Sequence, residues 1–157
     1  MASLVDRMVR AAKLDIHLYE EVEADPQAMG QAMTVVVISS LAAGVGGSAR
    51  DLMGLIVVSI AALLGWYVWA FLTYFIGTRL LSEPQTRADY GQLLRTLGFA
   101  ASPGVLRIAG IVPILGGLVY LAGTIWMLVA MVIAIRQALD YRSTGRAIGV
   151  CLIGGIP

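Results

Sequence analysis

Charge is scarce in this sequence. Asp, Glu, Lys and Arg make up 13% of its 157 residues, against about 25% in ordinary globular chains. Too little polar surface remains to cover a water-soluble body of this size, which excludes a cytoplasmic enzyme domain and a disordered tail. Cys151 is the one cysteine, so there is no internal disulfide and no CxxC metal knuckle. Eleven Lys and Arg stand against ten Asp and Glu, leaving no excess to hold a phosphate backbone. Nucleic acid is not an expected partner.

Histidine is nearly missing as well. His17 is the only one, and it falls on the polar side of an amino-terminal helix. Ser39, Ser40 and Ser59 therefore have no imidazole to activate them. The chain lacks the HExxH zinc motif and the GxxxxGK[ST] phosphate loop. No catalytic, metal or cofactor-binding set is expected, and the protein does not read as an enzyme.

What the chain does hold is apolar sequence: 59% hydrophobic residues at a mean hydropathy of +0.83. Spanning about 30 Å of hydrocarbon takes about 20 apolar residues of helix. Residues 29–47, 52–76 and 115–135 meet or nearly meet that length without a charge. Residues 93–112 are long enough too, but carry Arg95, Arg107 and the helix-breaking Pro103. Residues 147–157 are apolar and too short. The expected fold is all-α: a polytopic membrane helix bundle of four spanning helices plus a short fifth segment, covering residues 25–157. Residues 1–24 read as an amphipathic helix at the membrane–water boundary or packed on protein, with Leu14 and Asp15 the two exceptions to its pattern. Ser3 with Asp6, and Thr86 with Asp89, have capping-box spacing. Asp25-Pro26 reads as a helix start, and Gly77 as the end of the second span. The acidic run Glu20, Glu21, Glu23 and Asp25 fits no metal-loop spacing.

Arginine and lysine set the orientation. If residues 93–112 cross, nine cations (Arg7, Arg10, Lys13, Arg79, Arg87, Arg95, Arg136, Arg142, Arg146) lie on one side and two (Arg50, Arg107) on the other. If they do not cross, the split falls to seven against four. The positive-inside rule favours four crossings with a cytoplasmic amino terminus. Arg95 and Arg107 are then expected to snorkel towards opposite faces, where they reach polar groups or lipid headgroups. No Asp, Glu, His or Lys lies inside the spans, so an ion-coupled transporter is not expected.

The spans are rich in packing residues instead. Ser39, Ala43 and Gly47 recur every four residues, as do Ser40 with Gly44 and Ala61 with Gly65. Such ridges let helices approach closely in lipid. Trp66, Trp69 and Trp126 supply aromatic contacts, and an indole N–H in mid-membrane needs an acceptor from a neighbouring helix or a ligand.

Several stretches carry a resemblance. They are the run from Tyr90-Gly91-Gln92 through Arg95-Thr96-Leu97-Gly98 to Ser102-Pro103, then Ile125-Trp126-Met127 and Ala134-Ile135-Arg136. Together with Arg10-Ala11-Ala12-Lys13 and Tyr19-Glu20-Glu21-Val22 they resemble the prokaryotic branch of the Yip (Ypt-interacting protein) membrane family. The resemblance implies a five-helix bundle with a cytoplasmic amino terminus in a prokaryotic plasma membrane. Eukaryotic relatives are linked to prenylated Rab-type GTPases, but the Asp-Leu-Tyr-Gly-Pro motif of those relatives is missing here, so Rab binding does not carry over. The leading expectation is a non-catalytic scaffold or accessory subunit whose partners are other membrane proteins and lipids. One alternative is a small uncoupled carrier or channel using Pro103, Arg95 and Arg107. A further alternative is a lipid- or pigment-contacting subunit of an energy-converting complex.

Overall fold

The computed structural model describes residues 3–47 and 51–155. Among them all regular structure is helical: α1 Leu4–Ala12, α2 Ile16–Ala24, α3 Met29–Gly46, α4 Leu52–Phe75, α5 Tyr90–Ala100, α6 Gly116–Ala138 and α7 Thr144–Gly154. A 3-10 turn at Pro26–Ala28 leads into α3, a π-helical turn at Ile76–Leu80 prolongs α4, and a 3-10 segment at Ser102–Ile111 follows α5. Three stretches are long and apolar enough to cross a membrane: Pro26–Gly46, Leu52–Leu80 and Gly116–Ala138. Residues 48–50, which join the first two spans and include Arg50, lie outside the described residues.

Helix starts follow from the acids. The side chains of Asp15, Asp25 and Asp51 accept backbone N–H groups of His17, Gln27 and Gly54 at 3.0, 3.0 and 2.7 Å. Ser3 does the same for Asp6 at 3.1 Å. Each satisfies a donor that the first helical turn leaves free. The capping box before α5 pairs Asp89 with Gln92, not Thr86 with Asp89. Asp89 begins the helix, so its reciprocal partner lies three residues after it. The Thr86 hydroxyl instead accepts the Glu83 N–H at 2.9 Å within the loop.

Three sequence expectations change. Residues 1–24 form two helices, not one. Leu14 adopts a left-handed φ of 61° and Asp15 caps a new start, so the two residues that broke the amphipathic pattern are the turn. The third span is not one kinked helix either. Proline clashes with the carbonyl four residues before it and has no N–H to give, so α5 ends at Ala100 and Pro103 sits in the first turn of the 3-10 segment. At about 1.5 and 2.0 Å per residue, the two pieces together rise about 36 Å. Finally, Gly77 does not terminate the second span. The helix widens into the π turn there, with Gly77 buried beneath Leu139 and its carbonyl accepting the Tyr141 hydroxyl at 2.9 Å.

α5 is the axis of the molecule. Leu93 to Ala100 are all buried, surrounded by α2, α3, α4 and α6. The chain then continues beside α3 in the same direction: Gly98 lies against Ala32, Gly104 against Ser39 and Gly110 against Gly46. Gly98, Gly104, Gly110 and Gly116 recur at six-residue intervals, two full turns of a 3-10 helix. The contacts leave no room for a side chain. A Cβ on Gly98 would fall 2.7 Å from the Ala32 Cβ, and one on Gly110 would strike the Gly46 carbonyl. Gly65 has open space around it. Gly98→Ala and Gly110→Ala should each cost about 1–3 kcal/mol through overpacking, whereas Gly65→Ala should be neutral or gain up to about 1 kcal/mol of helix propensity. Thermal unfolding in detergent measures this, and three equal midpoints would contradict the packing described.

Candidate functional site

The small-residue positions divide into two groups. Ser39, Ser40 and Gly44 are buried on α3 and Ala43 is half-buried, while Gly47 lies exposed at its end. The hydroxyls of Ser40 and Ser59 lie 3.2 Å apart and tie α3 to α4. Ala61 and Gly65 are exposed on α4 and touch no facing helix; they line a cavity. The tightest approaches across elements include Gly46 and Gly110 against backbone and Gly98 and Gly104 against the Ala32 and Ser39 side chains, positions that a helical spacing of four passes over. Their six-residue interval was the available signal.

The three tryptophans donate to backbone carbonyls. Trp66 Nε1 reaches Leu94 O at 3.1 Å, Trp69 Nε1 reaches Gly155 O at 2.6 Å, and Trp126 Nε1 reaches Ala12 O at 2.8 Å. Ala12 ends α1, and the last carbonyls of a helix have no partner inside it. Trp126 thus holds the end of α1 against the middle of α6. The Tyr19 hydroxyl takes the neighbouring Ala11 carbonyl at 3.3 Å.

Arg95 acts in the same way on α2. It does not snorkel to the surface: it is 8% exposed, and its guanidinium donates to the Val22 carbonyl at 2.8 Å and to that of Glu23. These are last-turn carbonyls, where a cation also meets the negative end of the helix dipole. Arg7, unremarked in the sequence, fixes the other side of the hairpin. At 5% exposure, it donates to Glu21, Asp25 and Gln31, each at 2.9 Å, so α1, α2 and α3 meet on one guanidinium. Burial opposes its charge, but the bonds to Asp25 and Glu21 outweigh that and raise its pKa above the ordinary arginine value. Arg10 joins Glu21 at 2.6 Å and Asp15 at 2.9 Å. Of the acidic run, Glu21 and Asp25 are taken by arginines while Glu20 accepts from Gln137 at 2.9 Å, and among the described residues no three His, Cys, Asp or Glu side chains converge as a metal site would require.

Arg107 is the exception. Its Nε donates to Gly104 O at 3.1 Å and its Nη2 to the Ser39 carbonyl and hydroxyl at 3.3 and 2.9 Å. No carboxylate among the described residues pairs with it, and the titratable group facing it is the Tyr120 phenol. Ser39 is near the middle of α3, so the guanidinium turns inward and not towards the end of the bundle. There it borders a cavity of about 480 Å³ between α3, α4, the 3-10 segment and α6. The lining is mainly Val, Ala, Leu, Met and Trp, with Ser39, Ser40 and Arg107 as its polar members. α4 packs on α3 and α5 but hardly on α6, which leaves the cavity half-open beside Ala61 and Gly65.

Two variants test the hairpin. Arg95→Leu removes the bonds that secure the α2 terminus; amide hydrogen exchange in residues 4–24 should rise at least tenfold while α6 stays protected. Unchanged exchange would refute that role. Glu23 is the second handle. Burial, with Asp140 adding to it and Arg95 opposing, raises its carboxyl from 4.5 to about 7. Because the folded pKa lies above the unfolded one, this group costs stability as pH rises from about 4.5 to 7. Glu23→Gln should therefore be more stable than the native chain at pH 8, by roughly 1–3 kcal/mol, and indistinguishable from it at pH 4. Equal melting curves at pH 8 would refute the burial argument.

No curated protein and no solved structure matches the chain. A family model described as the Yip1 domain matches residues 18–156, from the start of α2 to beyond α7. The match takes in α5, the proline-broken 3-10 segment, the arginines on both and the tryptophan of α6, and the chain belongs to the Yip1 domain family.

Proposed function

We propose that this protein is a non-catalytic scaffold or accessory subunit of a larger assembly in a prokaryotic plasma membrane. It crosses four times with its amino terminus in the cytoplasm and acts through helix packing and lipid contact. The third crossing is α5 with its 3-10 continuation, which accompanies α3 over most of its length. The amino-terminal hairpin rests at the bundle's flank with Val5, Val9 and Ile16 exposed, apolar surface suited to lipid.

One observation carries the reading. The tryptophans and Arg95 inside the bundle hold its own backbone, while the longest apolar helix stays uncovered: α4 and its continuation are 17% buried over their most apolar stretch. Leu64, Val68, Phe71 and Phe75 face outward from it. A carrier through both arginines is weakened because the α2 carbonyls occupy Arg95. Solubilised in mild detergent, the protein should migrate well above the mass of one 16.6 kDa chain with its detergent, as an oligomer or with a co-purifying membrane protein. Light scattering that returns a clean monomer with no second protein would count against the proposal.

A further inference from the structure

The cavity and Arg107 together point beyond packing. Even a half-buried guanidinium in apolar surroundings favours a neutralising partner, and ionisable groups inside a membrane protein generally have one. Arg7 has two carboxylates. Arg95 has the negative end of a helix. Arg107 has neutral acceptors on one flank, Gly104 and Ser39, and no carboxylate among the described residues. Among the described residues its bonds to Gly104 and Ser39 use Nε and Nη2, and the Tyr120 phenol is the other polar group beside it. Beside it lies an apolar space of about 480 Å³, within the roughly 300–1,000 Å³ of small-molecule sites and open to one side.

We infer that this cavity binds one anionic amphiphile, its acidic head on Arg107 and Ser39 and its hydrocarbon chain along Ala61, Gly65, Trp66 and Met127. The chemistry follows from the two halves of the site. A guanidinium with only neutral partners among the described residues suits a carboxylate or phosphate oxygen, since charge-assisted bonds are about twice as strong as neutral ones. The rest of the lining offers a hydrocarbon chain contact area and almost no polar partner. A neutral apolar ligand would leave Arg107 uncompensated, and a small hydrophilic anion would leave the cavity unfilled. The gap between α4 and α6 is the entrance, reached sideways from the bilayer. The inference rests on the proposed membrane placement but not on any partner protein.

Titration of the delipidated full-length protein, followed by native mass spectrometry, tests it with three probes: phosphatidylcholine, phosphatidylglycerol and palmitate. The native chain should take up one anionic molecule at least about tenfold more tightly than phosphatidylcholine. Preference for phosphatidylglycerol assigns a phospholipid and preference for palmitate a free fatty acid, and either supports the site. Arg107→Gln should abolish the preference for the anion. Gly65→Phe, whose Cβ meets no atom within 4 Å at the cavity wall, should remove the bound molecule whatever its charge. Circular dichroism melting verifies that both variants fold, and if Arg107→Gln does not, Gly65→Phe decides alone. Equal uptake of all three probes by the native chain would overturn the inference, as would undiminished uptake by folded Gly65→Phe. Neither result bears on whether the protein purifies as an assembly.

Discussion

Free backbone carbonyls must find donors inside this molecule. In an apolar medium each unsatisfied polar group costs several kcal/mol, and a bundle with short helices and a 3-10 segment has many ends. The chain meets the constraint with donors from distant elements. Trp126 and Tyr19 close the end of α1, Arg95 closes α2, Tyr141 reaches Gly77, and Trp69 reaches Gly155. Every one of these bonds joins two elements, so satisfying the backbone and fixing the tertiary arrangement are the same act. The amino-terminal hairpin illustrates the consequence: besides its buried Leu18, Tyr19 and Val22, it is fastened by such bonds to α3, α5 and α6.

The 3-10 segment depends on the same logic from the opposite direction. Long 3-10 runs are uncommon because their hydrogen bonds are poorly aligned. This one is held between α3 and α6, with Gly46 and Gly110 in backbone contact on one side and Gly123 beside Leu106 and Arg107 on the other. Close approach replaces what local geometry lacks. The price is intolerance of side chains at Gly98, Gly104 and Gly110, and a fit too tight there to extend to α4, which stands off and leaves the cavity.

The three arginines near the bundle's interior show how differently one residue type can be used. Arg7 gathers carboxylates, Arg95 gathers helix-terminal carbonyls, and Arg107 borders an apolar cavity with neutral acceptors on one flank. Only the last is incompletely matched. That contrast makes the Arg107 end of the cavity the chemically distinctive place in the structure.

By itself the sequence determined the helical class, the three uncharged apolar spans, the break at Pro103 and the kinship carried by residues around Tyr90–Pro103 and Trp126. These are local or compositional properties: hydropathy over about 20 residues and the missing N–H of proline act wherever the chain goes. The exceptions Leu14 and Asp15 even marked a turn that an averaged amphipathic pattern conceals. Tertiary structure alone decided the rest. Whether Arg95 snorkels or caps depends on where α2 lies, more than 70 residues earlier in the chain. Whether Arg107 is paired depends on which acids reach it, and whether Ala61 and Gly65 form a contact or a cavity wall depends on how far α4 stands from α6. Burial and pairing are relations between segments, and no spacing within one segment contains them.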